Sequence, residues 1–180
     1  SASGAGTVTL TITDDTVFGS GAKIKLTATI LKTSVTQKSK TTRLMKQLKV
    51  STGATDAYGT RPTDRDISLG RADAFKMVAV YDSQSTSTDA VAPTLTVGTI
   101  TGAFTRGEKI TGTDSNATGR LITSSSPLQY VSTNAKTFSA NEVITGESSG
   151  AAATISSTTT GDSVITKRYV LDTGQRDNFY

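Results

Sequence analysis

Two glutamates stand 34 residues apart in matching surroundings: Glu108 in FTRGEKITGTDSNATGRLI (104–122) and Glu142 in FSANEVITGESSGAAATI (138–155). Paired carboxylates are the working groups of glycosidases, which hold them about 5–10 Å apart across the scissile bond. Such a site also needs a groove in which aromatic rings stack on the sugar, and the chain has no Trp. A strand-edge Glu copied when its segment was duplicated accounts for the pair without catalysis. Asp14–Asp15 and Asp64–Asp66 offer oxygen ligands of the kind Ca²⁺ takes. TDRD (63–66) lacks the further ligands of a calcium loop, so the reading here is turn capping. The chain contains no His and no Cys, which removes the usual general base near neutral pH, the Ser–His triad and every thiolate site. A Ser–Lys pair stays formally open. GSGAK (19–23) and GTDSNATG (112–119) do not match a phosphate-binding loop. The expectation is a non-enzyme with no catalytic residue, no metal and no cofactor.

Composition supports thin β-structure. Apolar residues make up 34% of the 180, and Ser and Thr together number 56. Cores built from so little apolar material bury little surface and are marginal alone, so burial is expected to come from neighbouring chains or further copies. No apolar run reaches the ~18 residues of a membrane-spanning helix, and no signal peptide is readable at Ser1. The charge is uneven: residues 1–55 sum to +6 and the rest to −2. Lys38, Lys40, Arg43, Lys46 and Lys49 are the candidate contact residues for an acidic partner. A solvated face, or an edge strand guarded by Lys, is the competing reading. No aromatics interleave these cations, which speaks against a single-stranded nucleic-acid groove.

The elements that would position these residues are strands. TVTLTIT (7–13) and KIKLTATILK (23–32) alternate strictly across a polar turn and read as an antiparallel pair in a sandwich-like sheet. RLMKQLKV (43–50) fits either a short helical face or a strand. Residues 51–66 form a long loop, the apolar run Phe75–Tyr81 reads as a strand, and ITKRYVL (165–171) as another. Between them lies the doubled unit FxxxExITGxxSxA. Its composition refuses a helical repeat, and each copy reads as strand, tight turn, strand, with the Gly supplying a positive φ. The expected organisation is all-β: a sandwich-like segment at 1–50, a loop and host strand at 51–90, a duplicated β-module at 91–161 with copies at about 95–128 and 129–161, and a host strand at 162–180.

ISLGRADAFKMVAVYDS (67–83) and ITKRYVLDTGQRDNFY (165–180) resemble segments of the large baseplate and tail-fibre proteins of contractile-tailed phages, notably those infecting cyanobacteria. The doubled unit resembles small β-modules inserted into phage structural proteins. The resemblance implies a host strand interrupted by the module and a parent chain continuing past Tyr180. It also implies a virion component of the phage tail that contacts other virion proteins and copies of itself. Nucleic acid is not expected as a partner. The alternative function is a glycan-binding or adhesin module at the host surface. No active-site residue is carried over.

Overall fold

The computed structural model describes residues 39, 41–71 and 73–173. The predicted strand pair within 7–32, Asp14–Asp15, Lys38, Lys40 and the closing GQRDNFY lie outside them. The described chain is all-β, with one short 3-10 turn at Thr166–Arg168. Its strands are β1 (Tyr81–Asp82), β2 (Thr94–Val97), β3 (Lys109–Gly112), β4 (Thr118–Leu121), β5 (Leu128–Ser132), β6 (Val143–Gly146), β7 (Ala152–Thr159) and β8 (Ser163–Val164).

Strands β2 to β7 close into an antiparallel barrel in the order β2-β5-β4-β3-β6-β7. Period-2 alternation drives each of them inward. Leu95 and Val97 of β2, Ile110 of β3, Leu121 of β4, Leu128 and Tyr130 of β5, Ile144 of β6 and Ile155 of β7 fill the core, with Phe104 and Phe138. Each copy of the repeat contributes three strands, not the two expected: β2-β3-β4 and β5-β6-β7. The third strand escapes the sequence comparison because its spacing differs by one residue. Leu95 pairs with Leu128, an offset of 33, whereas Phe104 onward repeats at 34.

The barrel has an internal pseudo-twofold axis. β3 pairs with β6 so that Thr111 faces its own repeat equivalent, Thr145, flanked by Ile110↔Gly146 and Gly112↔Ile144. On the other side Leu95 faces its equivalent Leu128. Within a copy, only the β3–β4 and β6–β7 hairpins pair; β2 pairs with β5 and β7, and β5 with β2 and β4. The copies are therefore intertwined rather than stacked side by side. Packing differs across the axis by a compensated exchange of volume. Tyr130 meets Phe138 edge-on at 5.1 Å, and a Cβ on Gly119 would sit 2.7 Å from the Tyr130 ring. The second copy puts Ala153 at the Gly119 position and the first puts Val97 at the Tyr130 position.

Entry and exit of the barrel lie together. β1 pairs with β8 through Tyr81↔Val164 and Asp82↔Ser163, and Asp162 and Val91 bond to each other, Asp162 N to Val91 O at 2.9 Å and Val91 N to Asp162 Oδ2 at 2.7 Å. Both flanking runs fall short of the expected strands. Phe75–Tyr81 yields only the strand Tyr81–Asp82, and 165–171 opens into the 3-10 turn. A strand needs a partner for every second backbone N–H and C=O; here the pairing continues one step past the stem, with Ile165 N donating to Val80 O at 2.9 Å, before Val80 N turns to the Thr166 hydroxyl and the 3-10 turn takes over. Residues 43–50 are neither helix nor strand; side-chain ties hold them, Gln47 Nε2 to Gln129 Oε1 at 3.1 Å and Lys49 to Asp89 at 2.5 Å.

Candidate functional site

The repeated glutamates sit at the entrances to β3 and β6, and both are buried, Glu108 at 6% exposure and Glu142 at 2%. Each reaches into the other copy. Glu142 Oε2 accepts the amides of Asp114 (3.2 Å) and Ser115 (3.0 Å), and the Ser115 hydroxyl donates at 2.9 Å; from its own copy Ser139 N donates to Oε1 at 2.6 Å. Glu108 mirrors this. Oε2 accepts the amides of Ser148 (3.3 Å) and Ser149 (3.0 Å) and both their hydroxyls, while Thr105 N donates to Oε1. The turn 113–116, which fails as a phosphate loop, thus does hold an anion: the carboxylate of the opposite copy.

This geometry explains the repeated letters. Phe and Ile are core, and Glu clamps the opposite turn. Ser donates to the opposite Glu while its oxygen accepts the amide two residues on, Ala117 N at 3.0 Å and Ala151 N at 3.1 Å. Those alanines are fully buried. The glycines need correction. Gly112 and Gly146 are not in the left-handed region. Glycine is required there because a Cβ would lie 2.6 Å from Glu142 Oε2 or from Glu108 Oε2. The left-handed positions are elsewhere in the unit, and Gly and Asn exchange places at them: Gly107 (φ 87°) against Asn141 (φ 70°), and Asn116 (φ 52°) against Gly150 (φ 67°). Gly and Asn are the residues that tolerate this conformation most readily.

Burial pushes the Glu108 carboxyl upward, but the amides of Thr105 and Ser149 and the hydroxyls of Ser149 and Ser148 outweigh it. Its pKa lies below the ordinary 4.5. Glu142 is likewise raised by burial and more than compensated by the amides of Ser115 and Ser139, the Ser115 hydroxyl and the Asp114 amide, so it too lies below 4.5. A general acid at neutral pH needs the opposite shift. These carboxylates are structural anions, saturated with donors, and each holds the other copy's turn shut.

Asp64 caps its own loop. It accepts Gly59 N at 2.6 Å and Arg61 N at 3.2 Å and pairs with the Arg61 guanidinium at 2.9 Å. Asp66 accepts the Tyr58 hydroxyl at 3.2 Å. Among the described residues no group of three or more acidic side chains is placed to hold a metal ion, and no helix is long and apolar enough to cross a membrane.

Of the predicted contact residues, Arg43, Lys46 and Lys49 are exposed, and Lys49 is paired with Asp89. A groove with no local sequence motif lies where residue 44 meets the barrel. Leu44, Arg106, Lys109, Arg120 and Glu147 line it around the Glu108 turn. Arg120 Nη1 donates to Gly107 O at 2.5 Å, and Lys109 approaches Glu147 at 3.5 Å. The signal that finds it is the alignment of the copies, in which Arg106, Lys109 and Arg120 face Ala140, Val143 and Thr154. Comparison with known protein families, with curated proteins and with solved structures found no match.

Proposed function

We propose that the chain is a structural component of a phage particle, in a baseplate or tail fibre, and that it works through protein–protein contacts. The observation that carries this reading is the division of apolar surface. Every buried hydrophobic side chain of the described core lies between Ala92 and Ile155, whereas on the flanking segments Phe75 is 65% and Val170 96% exposed, with Leu44, Val164 and Tyr169 also open. The barrel satisfies itself, and the flanks carry apolar side chains that further protein would cover. The paired entry and exit at β1 and β8 suit a module set into a larger host domain. Both repeated carboxylates are engaged by turn amides, which supports a structural role over proton transfer. The resemblance of 67–83 and 165–180 to tail proteins supports a phage particle as the setting.

Mass spectrometry of purified, intact particles tests this. Peptides of this chain recovered from the tail fraction at stoichiometric abundance are expected. A particle that is complete and infectious without them would end the proposal.

A further inference from the structure

We propose that the groove beside Glu108 docks an acidic polypeptide segment of a partner chain; this deepens the reading of the chain as a contact protein and rests on it. The barrel carries its own control for the claim. Its pseudo-twofold axis builds the same backbone twice, once around Glu108 and once around Glu142, with the same clamp in both places. Around Glu142 the fold is made with Ala140, Val143 and Thr154, and around Glu108 with Arg106, Lys109 and Arg120. Three cations on one face and none at the equivalent positions are therefore not a requirement of the fold.

The groove has the chemistry of a peptide site. Its volume is about 420 Å³, and Leu44, 53% exposed, gives it an apolar wall. That wall is built in: Leu44 sits over Gly107, where a Cβ would be 3.0 Å from Leu44 Cδ1. Arg120 is oriented by its bond to Gly107 O, and its remaining N–H groups suit a carboxylate. Glu147 offsets one of the three cations by pairing with Lys109, which leaves Arg106 and Arg120 to meet an incoming carboxylate. No aromatic side chain lines the groove to stack on a base. Positive charge with an apolar wall and an acceptor fits a segment bearing Glu or Asp beside an aliphatic residue.

The test uses the full chain and a synthetic Glu-rich peptide carrying a single Leu, titrated at low ionic strength. One binding site that weakens with added salt is expected. Writing the second copy's residues into the first, Arg106→Ala, Lys109→Val and Arg120→Thr, is expected to weaken binding roughly tenfold, the combined effect of three exposed ion pairs, with thermal unfolding still a single cooperative transition. The reverse exchange, Ala140→Arg, Val143→Lys and Thr154→Arg, is expected to add a second, weaker site. Equal binding by the triple variant overturns the proposal, as does failure of the peptide to bind. Tighter binding of a single-stranded oligonucleotide through the same three residues overturns it in favour of nucleic acid. None of these results bears on whether the chain is in the particle, which mass spectrometry decides separately.

Discussion

Gly112→Ala separates the clamp from ordinary glycine chemistry by the sign of its effect. Gly112 lies in β3 outside the left-handed region, so alanine can adopt its backbone. If conformational freedom were all that mattered, the substitution would stabilise the fold by about 0.4–1 kcal/mol through the unfolded chain. The structure predicts the opposite. The new methyl would sit 2.6 Å from Glu142 Oε2 and 2.8 Å from Ser115 Oγ, and ordinary contact needs roughly half an ångström more at the least. A carboxylate driven back that far stretches its bonds to Asp114 N and Ser115 N, now 3.2 and 3.0 Å, past useful length. Hydrogen bonds to charged groups contribute roughly 1.5–3 kcal/mol each. Their partial loss comes to about 2–4 kcal/mol, or a melting temperature lower by roughly 10–20 °C for a domain of this size. Thermal unfolding followed by circular dichroism reads it. A double-mutant cycle fixes the partner: with Glu142→Asp, which withdraws the carboxylate by one methylene, the cost of Gly112→Ala is expected to fall below about 1 kcal/mol. With Glu108→Asp it is expected to stay whole. A rise in melting temperature for Gly112→Ala, or equal coupling to both glutamates, would refute the reasoning.

Three further outcomes follow from the same geometry. Both glutamates have folded pKa values below their ordinary 4.5; their contribution is therefore complete above that pH and is lost as pH falls through the folded values. Urea midpoints measured downward from pH 6 are expected to decline, and Glu108→Gln with Glu142→Gln to flatten the decline while lowering the midpoint at pH 6. At Asn141, left-handed at φ 70°, Asn141→Gly is expected to change stability by less than about 0.5 kcal/mol, because the first copy already uses glycine there, and Asn141→Ala to cost about 1 kcal/mol or more; chemical denaturation distinguishes them. Asp64 is committed to Gly59, Arg61 and the Arg61 guanidinium, so excess Ca²⁺ is expected to leave the thermal transition where it was.

The core strands were legible because alternation needs only a buried face: ExIT reads as a strand from Ile110 and Ile144 alone. The repeat was legible from Phe104 to Ala117 because those positions keep one spacing. β2 and β5 were hidden by a single-residue difference in spacing and by the exchange of Val97 for Tyr130. The clamp was out of reach for a different reason. Glu, Gly and Ser recur within each copy, but their contacts run between copies, and no local pattern records which turn a carboxylate enters. Gly112 is opaque for the same cause, since a turn-proximal glycine suggests left-handed backbone when the demand comes from a side chain 30 residues away in sequence. The flanking runs Phe75–Tyr81 and 165–171 have the apolar content of strands, but the described pairing between them is confined to the short stem around Val80–Asp82 and Ser163–Ile165.

The two repeated acids are structural anions, each held by the opposite copy. Carboxyl-carbon NMR of the full chain, titrated from pH 7 downward, tests it directly. Glu108 and Glu142 are expected to titrate below 4.5, with the amide protons of Ser149 following Glu108 and those of Ser115 following Glu142. Titration of either glutamate above 4.5, or amide shifts confined to its own copy, would contradict the account.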